Sequence, residues 1–278
     1  MRRRKLFFAV PALVLGLLVM IYAGFSLLET RQTHREGVAV YEDWSNLIKR
    51  SVASDLPYDR SSNLHSDLPP HIAQTVAAVD SPRPQSEEAQ IYIPAFDIDF
   101  ELLQTLNKDS AAWLYSPGTV IDYPVMMAED YYYYLGHLPD GTANANGSLF
   151  VDFNNAPDFS EELTVIYGHH MKSGSMFGSL VGYKEQQYYY DNPYMYLYTQ
   201  NGDYRIDLIY GFVISAEHWK ERAFMFAENV DALLGYAAQN TTFLSGASFA
   251  GGDRVVALST CSYEFNDARY VVLGALRS

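Results

Sequence analysis

Apolar positions fall into three textures along this 278-residue chain. The first is a near-continuous apolar run from Leu6 to Leu28, led by the basic stretch "MRRRK". Wound as a helix, it spans roughly 34 Å, enough to cross a bilayer. The second is "EGVAVYEDWSNLIKRSVAS" (36–54), where Tyr41, Trp44, Ile48 and Val52 recur at helical spacing and predict a membrane-proximal helix. Residues 55–90 carry Pro, Ser and Asp without sustained periodicity and read as a linker.

The third texture begins near residue 97. "DIDFELLQTLN" predicts a short helix capped by Asp97 or Asp99. Eight β-type runs bounded by Gly, Pro, Asn and Asp then follow at 112–116, 119–126, 148–153, 163–167, 194–199, 204–215, 254–260 and 269–276. Short helices are expected at 175–182 and at 228–240, "ENVDALLGYAAQN". The pattern predicts a mainly β domain, one barrel or sandwich with a few surface helices.

Charge orients the first segment. Arg2–Lys5 belongs on the cytoplasmic side, which predicts a basic tail at 1–5, a single-pass transmembrane anchor at 6–28 and everything after it outside the cell. A cleaved signal peptide is the rival reading, but the apolar core is long for one. The expected organisation continues with the membrane-proximal helix and linker at 29–96 and the main domain at 97–278. A net charge of −14 argues against a nucleic-acid partner, and no basic cluster after the anchor suggests a second membrane contact. The tyrosine clusters at 131–134 and 188–190 suit a sugar- or peptide-binding face, although amphipathic packing is the commoner use of such residues.

Cys261 is the only cysteine. In an exported chain it is a core thiol, an intermolecular bridge or a reactive thiol. It ends the run 254–260, and Arg269 opens the next, so antiparallel pairing brings the guanidinium close to the thiol and favours thiolate. Ser259 shares the face of Cys261, while Thr260 points the other way. A cysteine nucleophile needs an imidazole partner. His34 adjoins the anchor, His65 and His71 lie in the linker, and His137 and His218 sit in polar loops. "TVIYGHHMKSGSMFGSL" leaves His169 and His170, which point apart; spacing does not choose between them. A metal held by His169, His170 and Cys261 lacks the acidic or second-cysteine ligand such a site calls for.

"TVIYGHHMKSGSMFGSL", "ALSTCSYEFNDARYVVLGAL" and "AWLYSPGTVIDYPVM" together resemble the histidine, cysteine–arginine and first-strand segments of class B sortases, membrane-anchored cysteine transpeptidases of Gram-positive bacteria. The resemblance covers about 97–278, and the long helical connection between 204–215 and 254–260 fits class B. Neither the lid motif nor the C-terminal span expected of pilin-polymerising class C enzymes is seen. The resemblance implies an eight-stranded barrel and no organic cofactor. It implies Cys261 as the nucleophile that forms a thioester with the threonine of a C-terminal sorting signal, and His169 as acid and base. Arg269 would orient the substrate and stabilise the oxyanion, and Ser259 would contact the substrate. The implied partners are surface proteins carrying sorting signals and an amine acceptor, either a cell-wall peptide precursor or a pilin lysine. A pilin-joining sortase, an exported cysteine protease without transferase activity and a catalytically silent assembly protein on the same barrel are the alternatives.

Overall fold

The structure is a computed structural model and describes residues 2–51, 96–127, 129–220 and 230–278. The expected linker at 55–90, Val52 and the first two residues of the helix expected at 228–240 lie outside the described residues.

Helix α1 runs from Arg2 to Ile48. The two segments read separately, 6–28 and 36–54, therefore belong to one helix. Its charged middle, "ETRQTHRE", interrupts the apolar pattern but contains no helix breaker, so the backbone carries through. Among the described residues, no helix is long and apolar enough to cross a membrane. The helical spacing read at 36–54 has its structural counterpart: Tyr41, Trp44 and Ile48 are buried against the rest of the protein. The helix stops at Ile48, earlier than 54, because strand β1 (Lys49–Ser51) takes over the backbone.

β1 pairs antiparallel with β2 (Phe96–Ile98), Lys49 opposite Ile98, so the two ends of the intervening segment are held side by side. Lys49 anchors this corner. Its ammonium pairs with Asp122 and lies 4.7 Å from the Phe96 ring centroid and 5.1 Å from that of Tyr115. Asp122 also accepts from Trp113 Nε1 at 2.7 Å. Trp44, Ile48, Ile98, Leu103, Trp113, Tyr196 and Tyr198 form one apolar cluster around it. α2 (Phe100–Leu106) follows, and of the two expected caps it is Asp99 that accepts from Leu102 N, at 3.0 Å, whereas Asp97 sits in β2.

The eight expected strands are all present: β3 (Ser110–Tyr115), β4 (Asp122–Met127), β5 (Leu149–Val151), β6 (Leu163–Tyr167), β7 (Tyr194–Thr199), β8 (Gly202–Ser215), β9 (Arg254–Cys261) and β10 (Ala268–Arg277). They close into a barrel in the order β10-β8-β7-β3-β4-β5-β6-β9, so the barrel of the two expected architectures is the one formed. Most neighbours are antiparallel, but β4–β5 and β6–β9 are parallel.

The side chains of β6, β9 and β10 divide between two cores. Ile166, Val256, Leu258, Tyr270 and Val272 face the barrel interior. Leu163, Val165, Val255, Ala257, Val271 and Leu273 face outward, beneath α5 (Val230–Asn240) with its Leu233 and Ala237. Burial on both faces explains why these strands read as continuous apolar runs rather than alternating ones.

The helix expected at 175–182 is a 3-10 helix over Gly178–Lys184. Met176 just before it has φ 54°, which breaks a regular helical start, and Gly178 and Gly182 lower helix propensity. Two short helices fall outside the sequence expectations. α3 (Gln186–Asp191) continues from the 3-10 turn, and α4 (Ala216–Trp219) is capped by Ser215, whose hydroxyl accepts from His218 N at 3.1 Å.

Candidate active site

The three adjacent strands β6, β9 and β10 end at one rim of the barrel. β9 and β10 pair antiparallel with Arg269 opposite Cys261 and Val271 opposite Ser259. β6 and β9 run parallel with Tyr167 level with Ser259. Continuing that register by two residues brings His169 level with Cys261, and two hydrogen bonds extend it. Gly168 N donates to Ser259 O at 3.2 Å, and Thr260 Oγ1 donates to Gly168 O at 2.8 Å. Alternation then sets Tyr167, His169, Ser259, Cys261 and Arg269 on the outward face, with Thr260 turned away.

These residues line one groove of about 620 Å³. Tyr131, Tyr132, Leu135, Ala216, Trp219 and Lys220 line it as well. Cys261, half-buried, is among the lining residues. Arg269 donates to Ala268 O at 3.1 Å and, among the described residues, pairs with no carboxylate, so its remaining N–H groups are available to an incoming acceptor.

The two histidines part company. His169 Nε2 donates to Leu135 O at 2.7 Å, which fixes a proton on that nitrogen and leaves Nδ1 to take or give one. His170 turns away from the groove. Its Nδ1 donates to Cys261 O at 2.8 Å and its ring lies 4.9 Å from that of Tyr263, so it steadies the backbone that carries the thiol. Among the described residues no cluster of His, Cys, Asp and Glu is arranged to hold a metal ion.

No family model matches the chain. It is 32% identical to sortase B of Listeria monocytogenes over 177 residues, 63% of this chain and 72% of that protein. The chain belongs to the class B sortases. The sortase also superposes on solved relatives. The sortase B structure from Clostridium perfringens matches with a TM-score of 0.60 at 26% identity, covering 64% of this chain and all of that one. A sortase B–substrate complex from Staphylococcus aureus gives 0.59 at 25%, covering 64% and 83%. The protein is thus a cysteine transpeptidase by family.

Several groove residues escaped the sequence reading. Tyr131 and Tyr167 both donate to the buried Asp152 carboxylate, at 3.0 and 2.9 Å, which fixes one wall of the sortase groove. Burial first, and the Asp152 charge second, push both phenols far above their ordinary range, so they stay protonated donors. In the tyrosine cluster at 131–134, Tyr131 and Tyr132 line the groove, while Tyr134 is core. At 188–190, Tyr189 is buried and Tyr190 exposed, an amphipathic split.

A clamp holds the β9–β10 turn. Lys184 donates to Ser262 Oγ at 3.0 Å, pairs with Glu264 and stands 5.0 Å from the Tyr270 ring centroid. Burial opposes ionisation of Glu264, but hydrogen bonds from Lys184 and Ser262 outweigh it and hold the carboxyl below its usual range. Lys184 lies 77 positions before Cys261 in a 3-10 turn, and no local pattern links the two.

Proposed function

We propose that this sortase cleaves a C-terminal sorting signal after its threonine, holds the substrate as a thioester on Cys261 and transfers it to an amine, attaching it to the cell wall. The observation that carries this reading is the meeting of the chain's only thiol with His169 and Arg269 in one groove. Cys261 passes its thiol proton to His169 Nδ1 and attacks the threonine carbonyl as thiolate. The developing oxyanion takes N–H donors from Arg269, a charge-assisted arrangement. His169 protonates the departing amine through Nδ1 and later takes the proton of the incoming amine, while its Nε2–H stays on Leu135 O. Ser259 offers a buried hydroxyl without a partner at the groove floor, a ready contact for the signal peptide.

We propose further that the apolar segment 6–28 anchors the chain in the cell membrane, with the N-terminus inside and the catalytic domain, 97–278, outside. Leu18 to Tyr22, Phe25 and Leu28 all face outward from α1, an apolar surface suited to lipid and costly in water. The acceptor that suits a wall-anchoring enzyme is the amine of a cell-wall peptide precursor.

The test is a product assay with a panel of sorting-signal peptides, with and without small amines, and with wall-precursor peptide or a pilin-type lysine peptide. Amine-dependent ligation that disappears in Cys261→Ala supports the transferase. Hydrolysis unaffected by every amine would replace it with a protease, and preference for the lysine peptide would redirect it to pilin joining.

A further inference from the structure

The turn at residues 144–147 lies between helix α1 and His169. Three successive turns of the helix grip it. Asn144 Nδ2 donates to Thr33 O at 2.8 Å. His34 Nδ1 bonds Asn146 Oδ1 at 2.7 Å, and Asn146 Nδ2 returns to His34 O at 3.2 Å. One turn on, Gly37 lies so close that a Cβ there would stand 2.3 Å from Asn146 Nδ2. Another turn on, the buried Tyr41 hydroxyl donates to Gly147 O.

Gly147 touches the catalytic side of the turn as well. It has φ +57°, and a Cβ on it would stand 2.9 Å from His169 Cδ2 and 2.8 Å from Leu135 O. Leu135 O is the acceptor of the His169 Nε2–H. Gly147 therefore packs against the hydrogen bond that sets the imidazole's tautomer, while its own carbonyl is tied to α1. Close packing on both sides leaves no slack to absorb a displacement.

We propose that docking of α1 positions the His169 imidazole, with Tyr41 and Gly147 as the positioning residues. The helix that carries the apolar N-terminal segment is thereby part of the catalytic apparatus, and how it seats on the barrel sets whether His169 is held for proton transfer. The inference rests on the acid–base assignment of His169.

The experiment uses the full chain in detergent micelles with ¹⁵N-labelled histidine. It reads the Nε2–H signal of His169 and the rate of Cys261 alkylation by iodoacetamide as a function of pH. In Tyr41→Phe, which removes one oxygen, and Gly37→Leu, which pushes on Asn146, the His169 Nε2–H signal is expected to broaden or vanish. The midpoint of the alkylation profile is expected to move by about half a pH unit or more while the circular dichroism is kept. If Gly37→Leu does not fold, Tyr41→Phe decides alone. Folded Tyr41→Phe with the wild-type signal and profile would overturn the proposal, even if its melting temperature fell. His169→Ala separates the two layers. A profile unmoved by His169→Ala removes the acid–base assignment itself, whereas a profile moved by His169→Ala and not by Tyr41→Phe removes only the role of α1.

Discussion

At the scale of single residues, the groove sets side chains of β6, β9 and β10 together, and each carries its own expectation. Arg269 has donors to spare and no carboxylate among the described residues, so its removal is expected to act on the transition state. Arg269→Ala should lower kcat by about 10²–10³, the loss typical of one oxyanion donor, and lysine should restore only part of it because the planar fork is gone. Steady-state kinetics with a cleaved peptide checks this, and an unchanged kcat would remove Arg269 from the chemistry. Ser259 is the opposite case. Its hydroxyl is buried and unpartnered, so Ser259→Ala should leave the melting temperature unchanged or slightly raised while KM rises. A fall in stability with unchanged KM would make it a packing residue. Much of this scale was legible beforehand. A cysteine ending one strand and an arginine opening the next had to face each other across an antiparallel pair, and they do. The choice between His169 and His170 was not legible from spacing. It depends on the parallel register of β6 against β9, a contact between segments about 90 residues apart.

At the scale of elements, the β9–β10 turn carries Ser262 and Glu264 directly after the thiol and is held by Lys184 from the 3-10 helix. Because the folded Glu264 pKa is depressed, the clamp's contribution is complete above the ordinary glutamate range and is lost as pH falls below it, through the lowered folded value. Hydrogen exchange of the amides at 262–267 should therefore quicken, relative to the rest of β9 and β10, below about pH 4.5. Glu264→Gln should show the faster exchange already at neutral pH. Equal exchange in the variant and the parent at neutral pH would show that the turn does not depend on the clamp. The barrel strands were legible because the two-sided burial of β6, β9 and β10 writes long apolar runs into the sequence. The short pieces were not. α4 has four residues and β1 and β2 three each, too few for a period to register, and they form because tertiary contacts hold them.

At the scale of the whole molecule, the boundary expected at residue 97 divides what the fold joins. Tyr41, Trp44 and Ile48 of α1 complete the apolar cover over Trp113, Tyr123, Tyr196 and Tyr198. Each buried side chain of that size is worth about 1.5–3 kcal/mol, so a chain beginning at residue 97 should lose several kcal/mol relative to one beginning at residue 31. Calorimetry of the two chains tests this, and equal melting temperatures would return α1 to the status of a separate tether. The sequence pattern showed the buried stripe of α1 but not its partner, since the surface it covers is assembled from β3, β4 and β7.

The central claim is that Cys261 carries the substrate as a thioester on its way to an amine. Intact-protein mass spectrometry of the full chain, mixed with the sorting-signal peptide panel and quenched in acid, measures this directly. The account predicts a mass increase equal to the signal fragment up to its threonine. The adduct should map to Cys261, be released by hydroxylamine, be absent in Cys261→Ala and disappear faster when an amine is added. Cleavage of a signal peptide that proceeds in Cys261→Ala, or an adduct on any other residue, would contradict it.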